Sequence, residues 1–158
     1  MDIRLRWLEP IDLEQGGALI YDIDEDDWDY IPEEAGVYIF ARMHGDSIVP
    51  LYIGRAANLS ERIWQQLNNN VRLMRGLEDA QSGYRVLLVG ELLTRPGQRV
   101  ASVLRLAEAA LIRAAWVEGL ELLNIQGTRT PVHTLWSSGN RDARSWLPSS
   151  KMTMQSDA

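Results

Sequence analysis

Two short runs decide how this chain folds: Gly36-Val37-Tyr38-Ile39-Phe40-Ala41, and Leu51-Tyr52-Ile53-Gly54-Arg55-Ala56-Ala57-Asn58-Leu59-Ser60-Glu61-Arg62. The first is β-branched and aromatic, reads as a strand, and is followed by a turn at His44-Gly45-Asp46. Ile48 to Ile53 reads as a second strand, so the pair forms a hairpin. Asn58 and Glu61 then have the spacing of a helix N-cap and its reciprocal N3 partner, and Leu59, Ile63 and Leu67 recur every four residues along the helix they open. The order is strand, turn, strand, capped helix.

Beyond this unit, residues 71 to 82 are polar and read as a short helix or loop. Tyr84 to Leu93 is apolar enough to predict a central strand, and Arg95-Pro96-Gly97 a loop. From Gln98 to about Glu118 the composition predicts the longest helix, with Val100, Val103, Leu104, Ala107, Leu111 and Ala115 on one face and Gly119 as its terminator. Ile3 to Trp7 and Ala18 to Tyr21 read as edge strands or an extended arm. The acidic run from Asp22 to Asp29 reads as a solvated loop, with masking of a basic face as the alternative. The expected fold is α/β in composition (α+β in layout): a small antiparallel sheet of about three strands flanked by helices. Its expected segments are an acidic N-terminal extension at 1–34, a core at 35–126, a C-terminal extension packed on it at 127–150 and a disordered tail at 151–158.

The chain has 158 residues, the size of one ordinary domain, with 46% apolar and 24% charged residues. It has no Cys, and its two histidines, His44 and His133, lie far apart in sequence, so neither a disulfide framework nor a structural zinc site is expected. No run suits a signal peptide or a membrane span, which predicts a soluble, cytoplasmic protein without membrane partners. The net charge of −6 hides an asymmetry. Residues 1–34 hold twelve acids against Arg4 and Arg6, a net of −10, and the rest holds fourteen Arg and Lys against ten acids, a net of +4. The body is therefore mildly basic, and compatible with a phosphate-bearing partner.

Four side chains draw attention on physical grounds. Tyr38 and Tyr52 sit on neighbouring strands of one hairpin and reach one face if the register allows; as isolated residues they would be ordinary packed aromatics. Arg62 lies one turn into the capped helix, beside its apolar stripe, where a guanidinium can present its donors to a phosphate. Glu108 falls inside the apolar stripe of the long helix, so its carboxylate needs a metal, a proton, or a cation such as Arg105 three residues earlier. Asn124 is a single polar side chain after an apolar stretch, and on its own would be a turn or cap residue.

In this order and spacing, Gly36-Val37-Tyr38, Tyr52-Ile53-Gly54, Arg62, Glu108 and Asn124 resemble the GIY-YIG nucleases, a likeness running from about Gly36 to Asn124. The resemblance implies metal-assisted hydrolysis of phosphodiester bonds in DNA, with RNA left open. Tyr38, Tyr52, Arg62 and Glu108 would be catalytic, with Glu108 holding one Mg²⁺ or Mn²⁺ and Tyr38 taking or orienting the proton of the attacking water. Arg55, Gln66 and Asn124 would lie at the substrate; Gln66 stands where some relatives have His. The competing reading is a scaffold of the same family that binds nucleic acid or protein without cutting. Oligomeric state is not legible. The Arg- and Trp-containing stretch from Arg129 to Trp146 suits phosphate contact and base stacking, or ordinary loop packing.

Overall fold

A computed structural model describes residues 2–124 and 133–154. Its hairpin is that of the sequence reading, longer at both ends: β4 (Gly36–His44) and β5 (Ser47–Ala56) pair antiparallel. A bulge after Phe40 leaves Leu51 without an opposite number, so that Tyr52 lies across from Phe40, on the face that carries Tyr38. Among the described strands β5 pairs only with β4 and forms one edge of the sheet, which is where Pro50 is tolerated. The other edge of β4 pairs along its length with β6 (Tyr84–Leu93), the central strand predicted from its composition.

The sheet is larger than the expected three strands. On the far side of β6, β1 (Asp2–Trp7) and β2 (Ile11–Gln15) pair in succession along its edge. Beyond them β3 (Tyr21–Ile23) joins β2, and β7 (His133–Gly139) joins β1 in parallel, followed by β8 (Lys151–Met154). The described residues thus form an eight-stranded sheet. β1 is no edge strand or arm. Ile3, Leu5 and Trp7 are buried while Arg4 and Arg6 alternate to the other face, so its period-two pattern marks a strand flanked on both sides. Lys151–Met154, expected in a disordered tail, pair with β7 and bury Met152. Residues 155–158 lie outside the described residues.

Helices cover both faces. α4 (Val100–Val117) packs on the face formed by Val37, Ile39, Ile53, Leu88 and Leu5. It ends in a Schellman arrangement: Leu120 N–H donates to the Ala115 carbonyl and Gly119 N–H to that of Trp116, with Gly119 at φ 74°. The opposite face carries Tyr38, Phe40, Leu87 and Val89 under α2 (Leu59–Asn69) and α3 (Val71–Asp79). The ambiguous stretch after residue 70 is therefore helical. Its last turn is held by buried Arg85, whose guanidinium donates to the carbonyls of Leu77, Ala80 and Gly83.

The acidic run contains a single-turn helix, α1 (Glu25–Trp28), capped by Asp24 accepting from Asp26 N–H at 3.0 Å. Trp28 packs at the edge of the second core and Ile31 is buried in it. The segment then runs to α2, where the carbonyls of Pro32 and Glu34 accept from Ser60 and Leu59 N–H. Two donors of that first turn, which the helix itself leaves unpaired, are satisfied by the N-terminal segment.

Candidate active site

The site forms at the open edge of β5, where α2 from one face and α4 from the other approach the strand. Asn58 caps α2 by accepting from Glu61 N–H at 3.1 Å, which starts the helix two residues after β5 ends and places Arg62 within its first turn. The Tyr38 and Tyr52 rings lie 6.3 Å apart and nearly parallel, and Phe40 meets Tyr38 edge to face. Tyr38 is buried, and its phenol extends across Gly54. A Cβ built on Gly54 would overlap the Tyr38 ring and hydroxyl. Gly36 is required for a different reason, because a side chain there would run into the Gly90 carbonyl and Leu59. The two strand glycines of the hairpin therefore serve close approach, and Gly45, at φ 60°, serves the turn between them.

Burial raises the pKa of Tyr38 far above the ordinary phenol value; Gln66 and Arg62 pull it down, Tyr52 and Glu108 push it up, and burial prevails. A neutral phenol is thus the stable form. Glu108 is also raised, first by burial and against the opposing pull of Arg55 and Arg62. Tyr52, Arg62 and Glu108 all act on Tyr38, and Arg62 acts on Glu108 as well, so the other three predicted catalytic side chains lie within electrostatic reach of Tyr38. Arg62 is exposed.

Glu108 pairs with Arg55, whose Nη1 donates to Oε1 at 2.7 Å, and not with Arg105. The Glu108 side chain keeps 20% of its surface open. Among the described residues no group of three or more His, Cys, Asp and Glu could hold a metal ion. A magnesium site can be built from one carboxylate plus water and substrate phosphate, and an under-compensated carboxylate on a part-open side chain fits that kind of ligand. Arg55, expected at a phosphate, sits on the one candidate ligand.

Gln66 and Asn124 turn both ends of their amides to the protein. Gln66, 8% exposed, donates to the Tyr38 hydroxyl at 2.6 Å and accepts from Asn70 at 2.8 Å. Asn124 accepts from Ile53 N–H at 2.9 Å and donates to the Ile53 carbonyl at 2.6 Å, and Leu123 N–H donates to Leu51. The 123–124 segment thus acts as a short substitute strand on the free edge of β5. One N–H and the carbonyl oxygen of each amide are thus engaged within the protein. Sequence reading passed over Asn70, whose only signal was its place in Asn68-Asn69-Asn70 between two helices.

The 129–146 stretch forms no single surface among the described residues. Trp146 packs on the α4 side of the sheet. Trp136 lies in register between Arg4 and Lys151, which approach its ring at 5.6 and 4.8 Å, and the neighbouring Leu135 faces the α4 core. Residues 129–132 lie outside the described residues. Among the described residues no helix is long and apolar enough to cross a membrane.

Among solved structures the chain is similar to the GIY-YIG N-terminal endonuclease domain of UvrC from Thermotoga maritima, bound to its catalytic divalent cation, magnesium. The identity is 30%, over 56% of this chain and 84% of that one, with a TM-score of 0.39. A Tyr-to-Phe point mutant of that domain, bound to its catalytic divalent cation, matches at 32% identity over 58% of this chain and 90% of the other, with a TM-score of 0.38. No family model and no curated protein matches the chain. Identity at this level across most of a GIY-YIG endonuclease domain accords with the motif residues of the hairpin and helices, and places the chain in the GIY-YIG nuclease family.

Proposed function

We propose that this protein is a metal-dependent endonuclease that hydrolyses phosphodiester bonds in DNA at the β5 edge. The observation that carries this reading is the arrangement there: a buried phenol laid across Gly54, a second phenol beside it, and a part-open glutamate and a guanidinium within electrostatic range of the buried phenol. Glu108 would hold one Mg²⁺ or Mn²⁺, which when bound polarises a phosphate oxygen and offsets the charge that builds up in the transition state. Arg62 lies on the exposed first turn of α2 and presents its fork of donors to the same phosphate. Tyr52, half-buried at the edge of the pair, orients the attacking water or a phosphate oxygen. Arg55 neutralises Glu108 until the cation arrives and is then released toward the substrate.

One observation favours a second reading, in which the domain binds nucleic acid without cutting: the 2.7 Å Arg55–Glu108 pair occupies an oxygen the cation would need. The test is incubation of supercoiled plasmid with the protein and Mg²⁺ or Mn²⁺, set against Glu108→Ala and Arg62→Ala. Nicking by the parent, lowered roughly 10²-fold or more in each variant, is expected. Binding by the parent with no nicking supports the scaffold, and equal nicking by all three proteins defeats the assignment.

A further inference from the structure

The hydrogen bonds behind Tyr38 have a direction that can be read from a donor of certain identity. Leu73 N–H is a backbone amide and can only donate; it donates to Asn70 Oδ1 at 3.0 Å, as the N-cap bond of α3 requires. With its oxygen so engaged, the group Asn70 turns to Gln66 is its NH₂, and it donates to Gln66 Oε1 at 2.8 Å. The Gln66 amide is thereby fixed, and the end facing Tyr38 is Nε2, 2.6 Å from the phenol oxygen. Amide orientation, often ambiguous, is set here by the chain of partners. Tyr38 must therefore accept from Gln66, and its own proton points elsewhere. Phe40 covers one side of the ring, and the hydroxyl lies against Gly54 on the strand that also carries Tyr52.

We propose that Asn70 and Gln66 form a positioning relay that fixes Tyr38 as a hydrogen-bond donor to the reacting phosphate or water, using the α3 cap to set the polarity of a catalytic hydroxyl two elements away. Acceptance of the water's proton then falls to a group other than Tyr38. The proposal rests on the nuclease reading for its kinetic consequence, but not for the direction of the bonds.

Two substitutions reverse that direction without removing the network. In Gln66→Glu a carboxylate can only accept from Tyr38, drawing the phenol proton inward, while Asn70 still donates to its other oxygen. Asn70→Asp keeps an equally good cap for Leu73 but faces Gln66 with an acceptor, so the Gln66 amide must turn over and present Oε1 to Tyr38. Each is expected to lower kcat about 10²-fold with KM little changed, as for loss of a positioned proton donor. Gln66→Glu combined with Tyr38→Phe should be no worse than Tyr38→Phe alone, because Gln66 acts through that one hydroxyl.

In the ¹⁵N-labelled parent, the Gln66 side-chain amide resonance should move in Tyr38→Phe and stay in place in Tyr52→Phe, a readout that needs no activity. An unmoved resonance, or parent-level kcat in Asn70→Asp, overturns the relay. If Asn70→Asp loses its cooperative melt, Gln66→Glu and the amide resonance decide the matter. A parent that never nicks DNA defeats the nuclease reading, while the resonance still rules on the relay.

Discussion

Gly54 shows how much one hydrogen atom in place of a methyl can decide. The hydroxyl of Tyr38 reaches the β5 edge only because nothing projects from Gly54, and the strand cannot bow aside while Asn124 grips Ile53 next to it. Gly54→Ala is expected to displace the phenol and lower kcat about 10²-fold, since small displacements of a catalytic group are that costly. Thermal melting of the same variant should also show a loss, of roughly 1–3 kcal/mol, because the added methyl overpacks one buried side chain. A kcat within a few-fold of the parent would mean that Tyr38 is not at the reacting centre. Sequence alone held the glycine but not its reason: only the register, with Tyr38 opposite Gly54, shows what the missing side chain makes room for.

At the scale of elements, the exposed edge of β5 is closed at Leu51 and Ile53 by the Leu123 backbone and the Asn124 side chain, in place of a ninth strand. Edge strands leave backbone groups unpaired, and Asn124 answers both groups of Ile53 with an amide that has the same donor and acceptor pattern as a peptide. Asn124→Ala should cost roughly 1–3 kcal/mol, the range for leaving part-buried polar groups unpaired, read from the shift of the denaturant midpoint. Asn124→Asp should be no better, because a carboxylate can accept from Ile53 N–H but cannot donate to the carbonyl beside it. Full stability in both variants would show that the edge needs no clamp. A polar residue after an apolar stretch was legible as exceptional, but whether it served a substrate or a strand depended on what tertiary folding set beside it, 71 residues away in sequence.

For the whole molecule, the segment from residue 35 to 126 is not a separate body. β6 is paired on one edge by β4 and on the other by β1 and β2, and β1 in turn by β7. Cutting the chain down to residues 35–126 removes the buried side chains of Ile3, Leu5 and Trp7, worth roughly 5–9 kcal/mol at 1.5–3 kcal/mol each, which rivals the total stability of an ordinary domain. The truncated protein is expected to lack a cooperative thermal transition, as followed by circular dichroism. A sharp melt near that of the full chain would show that the extensions merely decorate the core.

What the sequence determined by itself was local: the hairpin, the capped helix, the long helix with a carboxylate in its apolar stripe, and the family those residues mark. Each depends on spacing within a few turns or strand steps, where periodicity and capping chemistry are written directly into neighbouring residues. Tertiary structure alone decided the size of the sheet, the partner of Glu108 and the direction of the Gln66 amide. β1 and β7 are more than 120 residues apart in the chain, and Arg55 meets Glu108 across 53. A period-two pattern shows that a strand exists but not which strand lies beside it, and an ionisable group shows a need for compensation without naming its source.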